Sequence, residues 1–591
     1  MHFNKPLLLS FICFSVVFGP ARADRYDDLM AKWSSSYASR TIGSCTSTDA
    51  MRLAWNCMGA FHGHCYAYDV TKNKVIADRL YECLNNNVVG ATRTNAEGNT
   101  AYLYSDGGEE PGETFRIIEG ILHWVYLVKE NTALHADYLA TANTYLAKVE
   151  DQLISWWTGD YFIGDAQDPD APQDYHYPGS GMIVNPIHSG NRMSSPNNKL
   201  SDFGVAMCYL YKITKKQAYL DIIRQAALRF KSVVVWQNGG EYYSWHYFDP
   251  FWKYDFENLQ LGGLARHGTW IEHRGGYGAI NMKFMAEAYR LGLVYCREDI
   301  NRFVRTNRDV MYNPGGAWLL NDGSVPPTDW YGSLYPALCP YDSTGTLADI
   351  GYNSYNNDMG SWDSRCNAPY YIYAMKLAAG ELHPPDTLGW IGPLEAIKVE
   401  PINKSYVKIT FFNEVDPNTL TDLANFDFSR GIGTVAATID ASNARIVHVY
   451  TTEQTAGVTM KLRIRNVKDI YGNVTFAYGL SNQPYLFTAS SVDAGISDPG
   501  FTFPTAAFHL RASPNPAWGP VRISYIANTG EQNAIVRVLD QQGRLVCEKV
   551  NTKQHPGENI IWWESKTGSG LYYINVNNDV KKLTMPLMLF E

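Results

Sequence analysis

The chain has 591 residues, a formal net charge of −9, 18% charged residues and 14% aromatic residues. That length is too great for one core and sets three or four domains as the expectation. The acidic balance, with no basic face in evidence, argues against a nucleic-acid partner, and the folded, aromatic-rich composition argues against disorder. An anionic ligand would have to be met by positive charge gathered locally in a cleft. The 40 Tyr and 16 Trp suit stacking on sugar rings, although large aromatic cores and all-β modules account for the same bias.

Lys5, the apolar run Leu7 to Phe18 and the small-x-small Ala21-Arg22-Ala23 read as an export signal over residues 1–23. The run is too short to span a bilayer comfortably, and no later segment is long and apolar enough to do so, which predicts an exported protein without a membrane span. Beyond Cys13, nine cysteines remain. Cys45, Cys57, Cys65 and Cys83 cluster early, and one or two disulfides are expected there, with the pairing open. His62-Gly63-His64-Cys65 has the look of a metal site but lacks a second ligand group at a recognisable spacing, so neither metal nor cofactor is expected.

From about Tyr26 to Ala379 apolar residues recur at spacings of three and four: Ile118, Ile121, Leu122, Val125; Leu200, Phe203, Met207, Leu210; Tyr219, Ile222, Ala226, Phe230; Ile280, Phe284, Ala288, Leu291. Long Gly/Pro/Asp/Tyr-rich loops, such as Gly159 to Pro196 and Asn313 to Pro340, separate the helices. Many helices joined by long aromatic loops predict an all-α (α/α) toroid over 24–390, with loops building the site; an irregular bundle is the alternative.

After Pro384-Pro385 the texture changes. Leu394–Glu400 and Tyr406–Phe412 read as strands, with Asp416-Pro417-Asn418 as a turn. The closing Val467-Lys-Asp-Ile-Tyr-Gly-Asn473 resembles the end of the bacterial Ig-like domains that follow extracellular enzymes, which implies an Ig-like β-sandwich over 394–490. A third texture, over 505–591, carries Ala512-Ser-Pro-Asn-Pro516, Val521–Tyr525, Ile535–Asp540, Gln542-Gly-Arg-Leu-Val546 and Gly570–Val576. This series closely resembles the C-terminal sorting domain of type IX secretion and the related FlgD-like Ig modules. The resemblance implies a second β-sandwich, contact with secretion machinery, and release or surface display, and it implies no catalysis.

Three segments of the helical region could carry chemistry. In Ser194-Ser-Pro-Asn-Asn-Lys199, Pro196 suits the first helical position with Ser195 as N-cap. Asn197 and Asn198 then fall in a first turn, where free N–H groups and the helix dipole favour a negative charge. In Trp245-His246-Tyr247, an imidazole among aromatic rings can be kept neutral and able to accept a proton. In Glu272-His-Arg-Gly-Gly-Tyr277, an imidazole, a guanidinium and a phenol crowd around Gly275-Gly276, where glycine permits close approach of a polymer. Tyr277 falls at a helix start, and the dipole and Arg274 both lower the cost of a phenolate. Helix capping, a satisfied buried histidine and a Gly-rich turn are the structural alternatives.

Asn198-Lys-Leu-Ser-Asp-Phe-Gly204 with Cys208–Leu220, Trp245-His246-Tyr247, and Tyr277-Gly-Ala-Ile-Asn281 with Ala286–Tyr289 are similar to the central helices and catalytic turn of (α/α)-toroid polysaccharide lyases of the alginate and glucuronan type. The resemblance covers roughly 100–310. It implies β-elimination on an anionic, uronic-acid polysaccharide. Asn198 and Arg274 would neutralise the substrate carboxylate, Tyr277 would be the acid, and either Tyr277 or His246 the base, with His273 orienting or substituting. Asn197, Trp245, Tyr247 and Glu113 are the expected substrate contacts. The turn departs from its relatives, in which an acidic residue and a His occupy it, so the identity of the base stays open.

A glycoside hydrolase on the same toroid would need two carboxylates flanking the bond, for which Glu113, Glu119, Asp249 and Glu272 are available. A non-catalytic surface glycan-binding protein and a uronate C5-epimerase are the further alternatives.

Overall fold

In the computed structural model the described residues are 20–42, 45–164, 180–184, 192–237, 240–315, 317–380, 394–440, 442–475, 485–492, 510–513, 521–527, 534–540, 544–551, 557–563, 570–578 and 582–589. Residues 1–19 of the expected leader and the linker around Pro384–Pro393 lie outside this set. Helices fill the first part: α1 (Pro20–Tyr37), α2 (Gly59–Thr71), α3 (Lys74–Asn86), α4 (Pro111–Glu130), α5 (His135–Lys148), α6 (Asn197–Thr214), α7 (Gln217–Val233), α8 (Gly275–Arg290), α9 (Arg297–Arg305), α10 (Thr346–Asn357) and α11 (Trp362–Ala378). None of the helices among the described residues is long and apolar enough to cross a membrane.

Contacts among these helices form a closed cycle. α2 packs on α4, α4 on α6, α6 on α8, α8 on the short helix Pro336–Tyr341, that segment on α11, and α11 back on α2. The remaining helices back this ring, α3 on α2, α5 on α4, α7 on α6 and α8, and α1 and α10 on α11. The arrangement explains the sequence pattern. Ring helices are covered on nearly all sides, so α4 and α6 bury Ile118, Ile121, Leu122 and Val125, and Leu200, Phe203, Met207 and Leu210. Outer helices bury one stripe: α7 covers Ala226 and Phe230 while Tyr219 and Ile222 are only partly covered.

The interior of the ring also holds charge. Glu119 meets Lys283 and lies 3.5 Å from His62, Arg116 lies 3.5 Å from Asp202, and Glu287 pairs with Lys212 at 2.5 Å and Arg290 at 2.7 Å. The His62–Cys65 motif divides between two environments. His62 faces Glu119, while His64 bonds to the Ala60 and Tyr37 carbonyls at 2.8 and 3.3 Å. Cys45 and Cys83 form a disulfide, with the buried Cys57 sulfur 3.5 Å from that of Cys83.

Two antiparallel sheets follow. One has the order β4-β5-β2-β1 and the other β7-β6-β3, from β1 (Ala396–Asn403), β2 (Tyr406–Phe411), β3 (Phe426–Phe428), β4 (Thr434–Ile439), β5 (Ile446–Thr451), β6 (Thr459–Ile464) and β7 (Tyr485–Thr488). The expected closing motif is a loop gathered by Asp469, which accepts the Tyr471 and Asn473 N–H groups at 2.9 and 2.8 Å. A last pair of sheets, β8-β9-β12 and β11-β10-β13-β14, comprises β8 (Leu510–Ser513), β9 (Val521–Ala527), β10 (Ala534–Asp540), β11 (Leu545–Asn551), β12 (Gly557–Trp563), β13 (Gly570–Asn578) and β14 (Lys582–Leu589).

Each of the three regions has its own apolar core. The chain nonetheless divides into two compact units, Met1–Ser490 and Ser491–Glu591. The helical region and the first sandwich unite around a fully buried triad in which Lys231 reaches Asp299 and Glu395, both at 2.7 Å. The lysine depresses the Asp299 carboxyl against the effect of burial, whereas burial raises that of Glu395. Arg302 adds bonds to the Gly240 and Ile397 carbonyls at 2.8 Å each, and Trp236 packs against Tyr485 at 5.3 Å. Removing one member of such a buried group leaves uncompensated charge. Lys231→Met should therefore lower the unfolding free energy of this unit by about 3–5 kcal/mol, measured by chemical denaturation; an unchanged midpoint would show the triad to be dispensable.

Candidate active site

The site forms where two extended segments meet and enter α8. The Glu272 N–H donates to the Trp245 carbonyl at 3.1 Å, and the Tyr247 N–H donates to the Trp270 carbonyl at 2.8 Å. The same segment anchors the start of α6, because the Tyr247 carbonyl accepts the Asn197 N–H at 3.0 Å. That helix begins one residue later than expected. Pro196, with ψ of 155°, is its N-cap, so Ser195 is not; the extended Pro196 backbone lets its carbonyl accept the Lys199 and Leu200 N–H groups at 3.0 and 3.1 Å.

Tyr247 is the hub. Its ring stacks on Tyr277 with centroids 5.7 Å apart and meets His273 edge-on at 5.0 Å, with His267 5.3 Å away. His273 lies 6.0 Å from Tyr277 and 4.8 Å from Trp330. Arg274 is the exposed N-cap of α8, and its guanidinium carbon sits 5.7 Å over the Tyr277 ring. On another side of Tyr277 stands Trp55, at 5.7 Å, whose Nε1 donates to Glu113 Oε1 at 2.9 Å and whose ring lies 3.9 Å from the Arg116 guanidinium. His273, Arg274, Tyr277, Tyr247 and Glu113 thus share one neighbourhood although they come from three distant stretches of chain.

The turn that carries His273 and Arg274 is held from beneath. Buried Glu272 accepts the His273 N–H at 3.1 Å and the Asn281 amide at 3.3 Å, and Asn281 accepts the Ser201 hydroxyl at 2.9 Å. Burial pushes the Glu272 carboxyl up to about 8 despite these donors. Outside the turn, the Gly275 N–H donates to the Tyr331 carbonyl at 2.8 Å and the Tyr331 N–H to the His273 carbonyl at 3.1 Å. A Cβ on Gly275 would come within 2.3 Å of the Ser333 hydroxyl, whereas one on Gly276 would meet nothing within 4 Å. Open space therefore adjoins Gly276, whereas Gly275 is required by packing.

The two histidines differ. Burial, then Arg274, then His267 hold the His273 pKa below the ordinary value, and its Nδ1 has no hydrogen-bond partner among the described residues. His246 instead places Nδ1 3.4 Å from Asp249, and the bond to that carboxylate raises its pKa. Asn197 completes this second group, donating to the His246 carbonyl at 2.9 Å and to Asp249 at 3.1 Å. Among the described residues His246 makes no ring contact with Tyr277 or His273, so the expectation that aromatic neighbours keep it neutral is corrected by its carboxylate partner. Asn198 lies in the first turn of α6, buried, with Oδ1 unbonded among the described residues.

Trp245 requires a correction too. It is fully buried against Phe230, Phe303 and Tyr335, so its indole is a core element with no face open to a sugar. Sequence reasoning missed Trp55, His267 and Trp330. No motif marks them, and only folding brings Trp55 to Tyr277, His267 to Tyr247 and Trp330 to His273.

Residues 512–589 match the secretion system C-terminal sorting domain. The protein is therefore secreted or displayed at the cell surface, exported by the type IX system. No protein of curated function matches the chain by sequence. Among solved structures the chain resembles dimeric latent PorU from Porphyromonas gingivalis at 16% identity and a TM-score of 0.15, over 34% of this chain and 20% of that one. The chain thus spans only a fifth of that protein's length. It also resembles a polysaccharide lyase at 11% identity and a TM-score of 0.31, over 63% of this chain and 90% of that one. A family 76 glycoside hydrolase from a bovine Bacteroides thetaiotaomicron strain matches at 13% identity and a TM-score of 0.25, over 61% and 78%. These likenesses are too remote to carry an activity across.

A buried carboxyl raised from 4.5 to about 8 binds its proton more tightly in the folded state than in the unfolded one. Its stabilising contribution is complete below pH 4.5 and is lost as pH rises to about 8. Glu272→Gln keeps the shape without the titration, so its unfolding free energy should fall less than that of the wild type across this window. Parallel pH–stability curves would remove Glu272 as the titrating group.

Proposed function

We propose that the protein is a secreted polysaccharide lyase, that its closed helical ring is an (α/α) toroid, and that the cluster around Tyr277 cleaves a uronic-acid polymer by β-elimination. The observation that carries this reading is the meeting of an imidazole, a phenol and an exposed guanidinium at one helix start, with His273 6.0 Å from Tyr277 and Arg274 over the Tyr277 ring.

The C5 proton of a uronate is weakly acidic while the adjoining carboxylate is ionised. Arg274, with the Asn198 amide and the first turn of α6, would neutralise that carboxylate and stabilise the enediolate-like transition state. His273, held neutral, would take the C5 proton, and the electron pair left behind would form the C4–C5 double bond as the C4–oxygen bond breaks. Tyr277 would protonate the departing glycosidic oxygen. His246 would leave the reaction centre and act with Asp249 and Asn197 to fix the start of α6. Tyr247 would hold both reacting rings. The scheme routes no step through a metal or cofactor.

Four carboxylates that a hydrolase could use are otherwise engaged. Glu119 pairs with Lys283, Asp249 with His246 and Asn197, and Glu113 with Trp55, while the Glu272 side chain is fully buried. This favours elimination over hydrolysis.

The test is ultraviolet absorbance of unsaturated uronate on alginate, glucuronan, ulvan, pectate and glycosaminoglycans. One polymer should yield the signal, and Tyr277→Phe and His273→Ala should each lower kcat by about 10²–10⁴-fold. His246→Ala should cost less than either. Full activity in Tyr277→Phe would remove the phenol from the mechanism, a loss in His246→Ala matching that of His273→Ala would return the base to His246, and reducing ends without unsaturation would indicate hydrolysis.

A further inference from the structure

Trp270 is half exposed, although every other feature of its setting is that of a fixed residue. Its carbonyl accepts the Tyr247 N–H at 2.8 Å, tying it to the hub of the site. Its indole meets His273 at 5.8 Å and His267 at 6.3 Å in T-shaped contacts and Trp330 at 6.0 Å in a tilted one. The ring also closes over Gly268, where a Cβ would lie 2.3 Å from it. An isolated exposed tryptophan needs no explanation. This one is packed against three aromatic neighbours and a glycine, and one of those neighbours, Trp330, precedes Tyr331, which is 51% exposed and whose backbone is stitched to the His273 turn.

We propose that Trp270 is a sugar-stacking subsite, binding the pyranose ring of the polymer unit next to the one held at Tyr277 and His273. This rests on the reading of the site as one that acts on an acidic polysaccharide. The occupant follows from position and charge. His273 touches both Tyr277 and Trp270, so a ligand in reach of the imidazole continues over the indole. The face of an indole is electron-rich and repels a carboxylate, so an acidic sugar must present its C–H face to Trp270 and turn its carboxylate away from the ring. A ring already immobilised loses little conformational freedom on binding, so its contact area converts efficiently into affinity.

The experiment compares the full-length wild type with Trp270→Ala, Trp270→Phe and Gly268→Ala. Retardation is measured in gels containing each of the five polymers, together with KM and kcat on whichever polymer is cleaved. Trp270→Ala should weaken retardation at least tenfold and raise KM by a similar factor, with kcat on the shortest cleavable oligomer changing less. Trp270→Phe should restore part of the affinity. Gly268→Ala should mimic Trp270→Ala, because the added methyl displaces the indole while leaving it in the chain. Equal retardation of wild type and Trp270→Ala would overturn the subsite even if the polymer is cleaved. Retardation lost in Trp270→Ala without unsaturated product from the wild type would uphold the subsite and reject the lyase. A wild type retarded by no polymer would overturn the subsite, and one that also releases no unsaturated product would overturn both.

Discussion

The site depends on one buried carboxyl. Glu272 lies at the junction where the Trp270–Glu272 segment turns into α8, and it gathers the His273 N–H and the Asn281 amide in an interior that water does not reach. A charged carboxylate there would be costly, so the group holds its proton to about pH 8. The bonds it makes fix the backbone from which His273 and Arg274 project. Tyr247 lies directly across from this turn because its N–H is taken by the Trp270 carbonyl, and its ring then separates and orients the phenol and the imidazole. Without that lock the imidazole, the phenol and the guanidinium would be a list of residues rather than a site.

The crowding of His273, Arg274 and Tyr277 was legible in the sequence because a few residues of one turn carry it. So were the ring helices, whose apolar spacings match the buried stripes of α4 and α6. The two β modules were legible from strand alternation and turn residues. What could not be read was partnership across the chain. Nothing near His246 in a linear reading says that Asp249 answers it, since the intervening Tyr247 and Phe248 suggest an apolar setting. Trp245 and Tyr247 look alike in sequence, yet one enters the core against Phe230 and the other faces Tyr277. Trp55 and Trp330 lie more than two hundred residues apart, and only the fold sets one beside Tyr277 and the other beside His273.

That closure also explains how the charge is distributed. A ring of helices has an interior, and inner faces that were wholly apolar would pack it as a continuous core. This one instead pairs Glu119 with Lys283, Arg116 with Asp202 and Glu287 with Lys212 and Arg290, with Asp202 raised to about 7 where Arg116 only partly offsets burial. Arg116 links this interior to the site, since its guanidinium supports Trp55, which in turn borders Tyr277. Cations in the interior are thus engaged by carboxylates or rings. Arg274 differs from them in lying exposed at a helix start, and in the proposed function this exposure, in a protein of net charge −9, is what lets it meet an anionic ligand.

The first sandwich belongs to the same argument. Lys231 ends α7, and α7 backs both α6 and α8, the helices whose first turns frame the site. Glu395 therefore closes a charge group rooted in the helix behind the active elements, and Arg302, stacked 4.4 Å from Trp236, extends the seam. A flexible tether would need no buried triad, and burying three charges carries a desolvation cost that only well-made mutual bonds offset. The sandwich is accordingly a structural part of the helical unit. Through Lys231 and Glu395 it braces α7, the helix that backs α6 and α8.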